Sequence, residues 1–469
     1  MKVPAREKYA FGLGALGKDF IITFVNTFLL FYYTDVLYLS PAFIGALFFG
    51  ARVWDAINDP VMGMIIDNTR SKYGKFRIWL VIGTLLNAII FILLFNTFGL
   101  TGISLYAYCA VMYVLFGMTY TIMDVPYWSW LPNLTSDPRE RESVSVIPRI
   151  FASLAGLLTG TFGLQVVNLL GNGDKMKGFQ LVAILLAIAF VVLIAITVTN
   201  VPEAPTLDQK DSPKLTIKKA IEVLKSNDQL SAFIGLLLTF NLSMQILNGF
   251  MIYYFKYVTG AEGLFSLFFF TIFAEMLGLL LFPKISRAIS REKTYILACG
   301  LPAIGLLTLL VAGFVAPTSV VLAMVAGFIL KFGSGLSLGV TTVSIADCID
   351  YGEVKLGTRN ESIICSAQTF LMKSSQAVAG LLTGLCLSVV GYVPNVQQSA
   401  TAIMGIRLLT CVIPIFFVIV SYIIYKKFYH LKGQRLVSLS ERITEIHAAE
   451  DKEASETESV LSEDVTYGI

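Results

Sequence analysis

Apolar stretches of about 20 residues recur from near the start of this chain almost to its end, and no other feature restricts the fold so strongly. Each is long enough to cross the ~30 Å hydrocarbon layer of a bilayer as a helix. Of the 469 residues, 56% are hydrophobic and only 14% are charged, and the mean hydropathy is +0.73. A water-soluble chain of this size would carry far more surface charge. Backbone exposed to lipid must satisfy its own hydrogen bonds, which leaves helices or a closed barrel. The apolar runs here are continuous rather than alternating, and that selects helices. The sequence predicts an all-α polytopic membrane protein.

Twelve spans are expected, at about 10–36, 41–66, 76–98, 102–129, 146–170, 178–200, 229–257, 262–287, 294–315, 318–349, 361–391 and 401–428, with a bend in the tenth near Gly333 and Gly335. The loops alternate in charge. Those after even spans carry Arg70, Lys72, Lys75 and Arg77, then Arg139 and Arg141, then Lys210, Lys214, Lys218 and Lys219, then Lys284, Arg287, Arg291 and Lys293, then Lys355 and Arg359. Loops after odd spans hold little that is basic besides Lys175 and Lys177. The positive-inside bias then places both termini and the even loops in the cytoplasm, as in a protein of the bacterial inner membrane. Lys2, Arg6 and Lys8 lead into a long span with no small-residue cleavage site, so no removable signal is expected.

The longest loop, 201–228, contains Pro202, Pro205 and Pro213 and divides the chain into a six-span unit at 1–200 and another at 229–430. A weak repeat supports this division: PRERES at 138–143, after span four, resembles GTRNES at 357–362, after span ten. Matching loops are what duplicated six-helix bundles would give. Residues 431–469 are polar and increasingly acidic, and a solvated, partly disordered tail is expected there.

Several apparent motifs lose their meaning in this context. GLGALG at 12–17 fits a dinucleotide fingerprint literally, but it lies in a membrane helix rather than after a strand, where its glycines would allow close helix packing. No phosphate-binding loop occurs, and the only histidines, His430 and His447, lie in or beside the tail. The six cysteines are scattered through apolar segments without a paired spacing, so neither disulfides nor a zinc site is expected. Nothing points to a cofactor, an enzymatic centre or a nucleic-acid partner.

What remains is a set of charges inside the spans. The acids are Asp19, Asp55, Asp59, Asp124 and Glu275, and the bases are Lys18, Arg52, Arg149 and Lys373. Buried ion pairs stabilise poorly, because desolvation can exceed the Coulomb gain, so a set this large points to a polar cavity that binds something. Asp55 and Asp59 fall one helical turn apart on the same face, where two anions repel. Protonation of one, an adjacent Arg52 or a bound cation would each relieve them. Asn58 and the hydroxyl of Thr121 add oxygens suited to a hard monovalent cation, either Na⁺ or, as protonation, H⁺. In MTYTIMDVPYWSW, Tyr120, Asp124 and Trp128 share one helical stripe. A carboxylate there would accept bonds from sugar hydroxyls, and an indole would cover the C–H face of a sugar ring. Arg149, Lys18 and Lys373 would donate to hydroxyl oxygens and balance charge.

The stretches GLGALGKDF (12–20), FYYTDV (31–36), ARVWDAINDPVMG (51–63), TRSKYGKF (69–76), FGMTYTIMDVPYWS (116–129), RIFASLAG (149–156), IYYFKYV (252–258), ADCIDYGEVKL (346–356) and GYVPNVQQS (391–399) resemble the glycoside–pentoside–hexuronide:cation symporter family. They span nearly the whole chain. The resemblance implies a major-facilitator fold of twelve helices in two bundles, a central site, alternating access, and a carrier that functions as a monomer in the lipid bilayer. It further implies that Asp55, Asn58, Asp59 and Thr121 hold Na⁺, Li⁺ or H⁺. Lys18, Asp19, Tyr120, Asp124, Trp128 and Arg149 would bind a galactoside-type sugar such as melibiose, with Lys373 between the two sites.

Three positions depart from the family pattern, one of them Arg407 in span twelve, a further added charge. Leu338 stands where a tryptophan would flank the sugar, and Lys331, two turns earlier, replaces a neutral residue. Both open the alternative of another glycoside, a hexuronide or pentoside, with H⁺ as a possible coupling ion. Arg141, Glu142, Asp350, Glu353, Arg359 and Glu361, on the even-loop side, are candidates for a salt-bridge latch between the bundles.

Overall fold

The computed structural model describes residues 3–134, 138–203, 226–356, 361–439, 441–443 and 445, among which the chain is helical and forms no strand. Twelve segments follow one another: α1 (Ala5–Val36), α2 (Pro41–Asp67), α3 (Lys75–Leu94), α4 (Gly102–Trp130), α5 (Pro138–Gly171), α6 (Lys175–Asn200), α7 (Asp228–Val258), α8 (Gly263–Ile289), α9 (Arg291–Val315), α10 (Val320–Leu356), α11 (Glu361–Val389) and α12 (Ala400–Lys427). Ten of them are long and apolar enough to cross a membrane by composition alone. The other two, α2 and α11, contain Arg52, Asp55, Asp59 and Lys373.

Packing divides these helices into two bundles of six. In the first, α1 lies against α5 and α6 while α4 lies against α2 and α3; in the second, α7 lies against α11 and α12 while α10 lies against α8 and α9. The duplication extends to single hydrogen bonds. α1 and α7 each end in a π turn, Tyr32–Val36 and Tyr254–Val258. The Tyr32 hydroxyl donates to the carbonyl of Phe95 at 2.9 Å, beside the end of α3, and the Tyr254 hydroxyl donates to Leu309 on α9 at 2.6 Å. Both phenols thus tie the last turn of a bundle's opening helix to the third helix of that bundle.

Small residues set the helix spacing. A Cβ at Gly14 would lie 2.5 Å from the Thr197 hydroxyl on α6, and one at Gly12 would lie 2.8 Å from Phe151 on α5, so the GLGALG stretch is a packing surface. α10 is one continuous helix through Gly333 and Gly335. Those glycines lie close against Leu301 and Pro302 of α9 and the Glu275 carbonyl of α8. At the even-loop end, Glu203 beyond α6 accepts from the backbone N–H groups of Phe76 and Arg77, both at 2.9 Å. An anion at those free donors caps α3.

The two bundles meet mainly at the odd-loop end. One apolar core runs through the first bundle and continues into the odd-loop halves of α7, α8, α9 and α10, whereas a second core, toward the even loops, is built from the second bundle and the segment after α12. That last segment departs from expectation. Leu431, Leu439 and Ile443 are buried under the second bundle, because their spacing gives the start of the tail an apolar stripe.

Candidate functional site

Lys18 is the centre of the first polar cluster. Only 2% exposed on α1, it forms an ion pair with Asp124 on α4 at 2.9 Å and with its neighbour Asp19 at 3.5 Å. Its ammonium lies 4.8 Å from the Trp128 ring, 5.4 Å from that of Tyr127 and 6.0 Å from that of Tyr120. Tyr127 is fixed beneath by donating to the Phe11 carbonyl at 2.6 Å and stacking on the Phe11 ring. One ammonium between two carboxylates leaves a surplus negative charge and open acceptor lone pairs. Those suit hydroxyl donors, with Trp128 and Tyr120 as apolar walls. Of the sugar-contacting residues expected, Lys18, Asp19, Tyr120, Asp124 and Trp128 therefore come together. Arg149 is exposed on α5, and no ion pair ties it to this cluster among the described residues.

The second cluster surrounds the aspartates of α2. Arg52 donates to Asp55 at 3.1 Å and to Asn26 on α1 at 3.3 Å. Asp59 accepts from the Thr121 hydroxyl at 2.9 Å through one oxygen and from Lys373 of α11 through the other. Each carboxylate thus has its own cation, one supplied by the same helix and one by the opposite bundle. The amide nitrogen of Asn58 is buried without a hydrogen-bond partner. Thr121 and Asp124 are nearly one turn apart on α4, so the two clusters share that helix.

Between the bundles lies a cavity that sequence reasoning missed. Its polar lining comes from Asn26 and Arg52 of the first bundle and Gln245, Asn248, Gln376 and Thr383 of the second. Aromatic residues Phe31, Phe48, Tyr113 and Tyr253 also line it, as does Thr27. Asn26 is about 12 Å beyond Lys18 along α1, toward the odd loops, so the cavity adjoins the first cluster rather than coinciding with it. Arg52 belongs to both the cavity and the aspartate pair. The available signal was a set of neutral amides inside apolar spans, which is costly without partners; attention to formal charge passed over them.

Lys331 pairs with Glu275 of α8 at 3.0 Å, and Ser334 donates to the same carboxylate at 2.8 Å. Leu338, on the same face of α10, is 41% exposed. Among the latch candidates, the side chains of Arg141, Glu142 and Glu361 and the whole of Arg359 lie outside the described residues, while Glu353 is buried and Asp350 partly so near the even-loop end of α10.

Two six-helix bundles, joined at one end over a polar cavity lined from both sides, define a major-facilitator transporter. The chain belongs to the MFS/sugar transport protein family, whose sequence profile matches residues 10–432. It is accordingly a multi-pass membrane transporter and not an enzyme. It is 30% identical to the isoprimeverose transporter of Lactiplantibacillus pentosus over 88% of this chain and 86% of that one. It is also 30% identical to the inner membrane symporter YicJ of Escherichia coli, over 94% and 95% of the two chains. A bacterial homologue of the human lysosomal transporter Spinster shares the fold, with a TM-score of 0.67 at 14% identity over 92% of this chain and 99% of that one. The nucleoside transporter NupG does so with a TM-score of 0.64 at 15% identity, over 90% and 100%.

Proposed function

We propose that this protein is a secondary symporter of the bacterial inner membrane, with both termini cytoplasmic, that couples entry of a monovalent cation to uptake of a glycoside. The observation that carries this reading is the position of Asp59. One carboxylate receives Thr121 from the helix that also bears Asp124, and Lys373 from the opposite bundle. A cation entering at Asp55 and Asp59 must compete with Lys373, so its arrival changes the tie between the bundles and, through α4, the neighbouring sugar cluster. If the cation tightens sugar binding, the sugar tightens cation binding by the same factor.

Na⁺ is the first candidate ion, with Li⁺ and H⁺ as alternatives, because Asp55, Asn58, Asp59 and Thr121 offer several oxygens. A galactoside such as melibiose is the first candidate sugar. A second reading, a hexuronide or pentoside carrier, is supported by the relative named for isoprimeverose, while Lys331, the residue that first suggested it, is paired with Glu275 rather than left open to a ligand. Uptake of labelled melibiose in carrier-deficient cells, with and without Na⁺ at fixed pH, tests the first reading. Uptake stimulated by Na⁺ supports it. Absence of uptake, with the protein shown to be in the membrane, refers the question to a panel of glucuronides and pentosides.

A further inference from the structure

We infer that Asp35 is the keystone of an outer clasp that locks the bundles together at the odd-loop end, and that Tyr253 and Thr34 connect this clasp to the cavity. Asp35 stands in the π turn that ends α1 and is 3% exposed. Nearly every group that satisfies it comes from the other bundle. One carboxylate oxygen accepts from Lys256 at 2.6 Å and from the Tyr257 hydroxyl, both in the matching π turn of α7. The other accepts from Tyr392, between α11 and α12, at 2.6 Å, and from its neighbour Thr34 at 2.8 Å. The Asp35 backbone carbonyl accepts from the Asn395 amide, whose oxygen in turn accepts from Lys256 at 2.8 Å. Three donors from the other bundle hold the two oxygens of this carboxylate, so the acid is a fastening between the bundles.

The clasp also reaches inward. Thr34 and the Tyr253 hydroxyl lie 2.9 Å apart, and Tyr253 lines the cavity together with Phe31. With Tyr253 donating to Thr34, and Thr34 donating to Asp35 at 2.8 Å in preference to the Leu30 carbonyl at 3.0 Å, a chain of hydroxyls runs from the cavity wall to the carboxylate. A ligand hydroxyl that took over the Tyr253 bond would withdraw one support from the clasp. That assigns Tyr253 and Thr34 as positioning residues that report cavity occupancy to the outer gate.

The proposal rests on alternating access but not on the identity of sugar or cation. Its test is the labelling of Thr27→Cys, a cavity position, by a membrane-impermeant maleimide in right-side-out and inside-out vesicles. The chain without this substitution, whose described cysteines are buried or half-buried, serves as the blank, and Thr27→Cys alone is the parent for the variants below. Labelling from the odd-loop face should be slow in the parent and at least about tenfold faster in Asp35→Asn, the effect of weakening charge-assisted bonds. Tyr392→Phe and Tyr253→Phe, which keep the ring and remove one hydroxyl, should give intermediate rates and cover the case in which Asp35→Asn fails to fold. Saturating melibiose, or whichever glycoside of the glucuronide and pentoside panel the same vesicles take up, should speed outer labelling in the parent and lose that effect in Tyr253→Phe. Rates indistinguishable from the parent in folded variants overturn the clasp; an unchanged substrate effect in Tyr253→Phe overturns the relay. Sugar uptake by the same vesicles is read separately, so its failure would count against the transport reading while the labelling ratio still decides the clasp.

Discussion

Lys373 on α11 donates to Asp59 on α2, so a carboxylate of the first bundle is neutralised by the second. The bond spans the seam where α2 and α11 pack most extensively between bundles. Ion binding and bundle movement are thereby placed on one side chain.

Removing that competitor should expose the site. Lys373→Met should lower the Na⁺ concentration for half-maximal stimulation of uptake by about tenfold, the equivalent of one charge-assisted hydrogen bond. It should also reduce the steady-state accumulation ratio, because the cation no longer displaces anything. A sodium titration of initial rates reads both, and an unchanged half-saturation would remove Lys373 from the ion pathway.

Asp59→Asn should abolish cation stimulation while leaving sugar binding measurable by exchange. Asp55→Cys should do the same and in addition deprive Arg52 of its carboxylate partner on α2, leaving it its bond to Asn26. Retained Na⁺ dependence in either variant excludes that aspartate as a ligand.

Asp124→Leu alone leaves Lys18 buried with only Asp19 beside it, and removing one partner of a buried pair costs about 3–5 kcal/mol. Lys18→Met combined with Asp124→Leu should recover membrane-inserted protein yet bind no sugar. Thermal denaturation in detergent and sugar binding separate the two effects. Sugar binding at the parental affinity in the double variant would refute the role of this pair.

The cavity amides predict a different pattern. Gln245→Leu or Gln376→Leu should raise the sugar KM by about tenfold, one lost hydrogen bond with a desolvated partner, and leave the sodium half-saturation where it was. A shift confined to sodium would place the sugar elsewhere.

Leu338→Trp should change the order of preference among glycosides if the even-loop half of α10 faces the substrate. Lys331→Met should weaken anionic glycosides more than neutral ones, measured as the ratio of their initial rates. An identical ratio would make the Lys331–Glu275 pair a fastening between α8 and α10.

The sequence by itself determined the membrane class, the twelve helices and the families of charge. Apolar length and helical period are local properties, and an ion in a span is costly wherever the helix packs. It also determined that Tyr120, Asp124 and Trp128 share a face, since that needs only one helix. Which cation answers which aspartate was open from spacing alone. Arg52 was a possible neighbour from its own helix, but Lys373 reached Asp59 only once α11 had been laid against α2. The neutral amides of the cavity gained meaning in the same way, by converging from α7 and α11 on Arg52. Asp35 and Lys256 are far apart in sequence and ordinary in isolation; the doubled bundle brings two equivalent helix ends together and makes them a pair. Contacts between elements depend on how helices cross, and crossing is decided by packing over the whole fold.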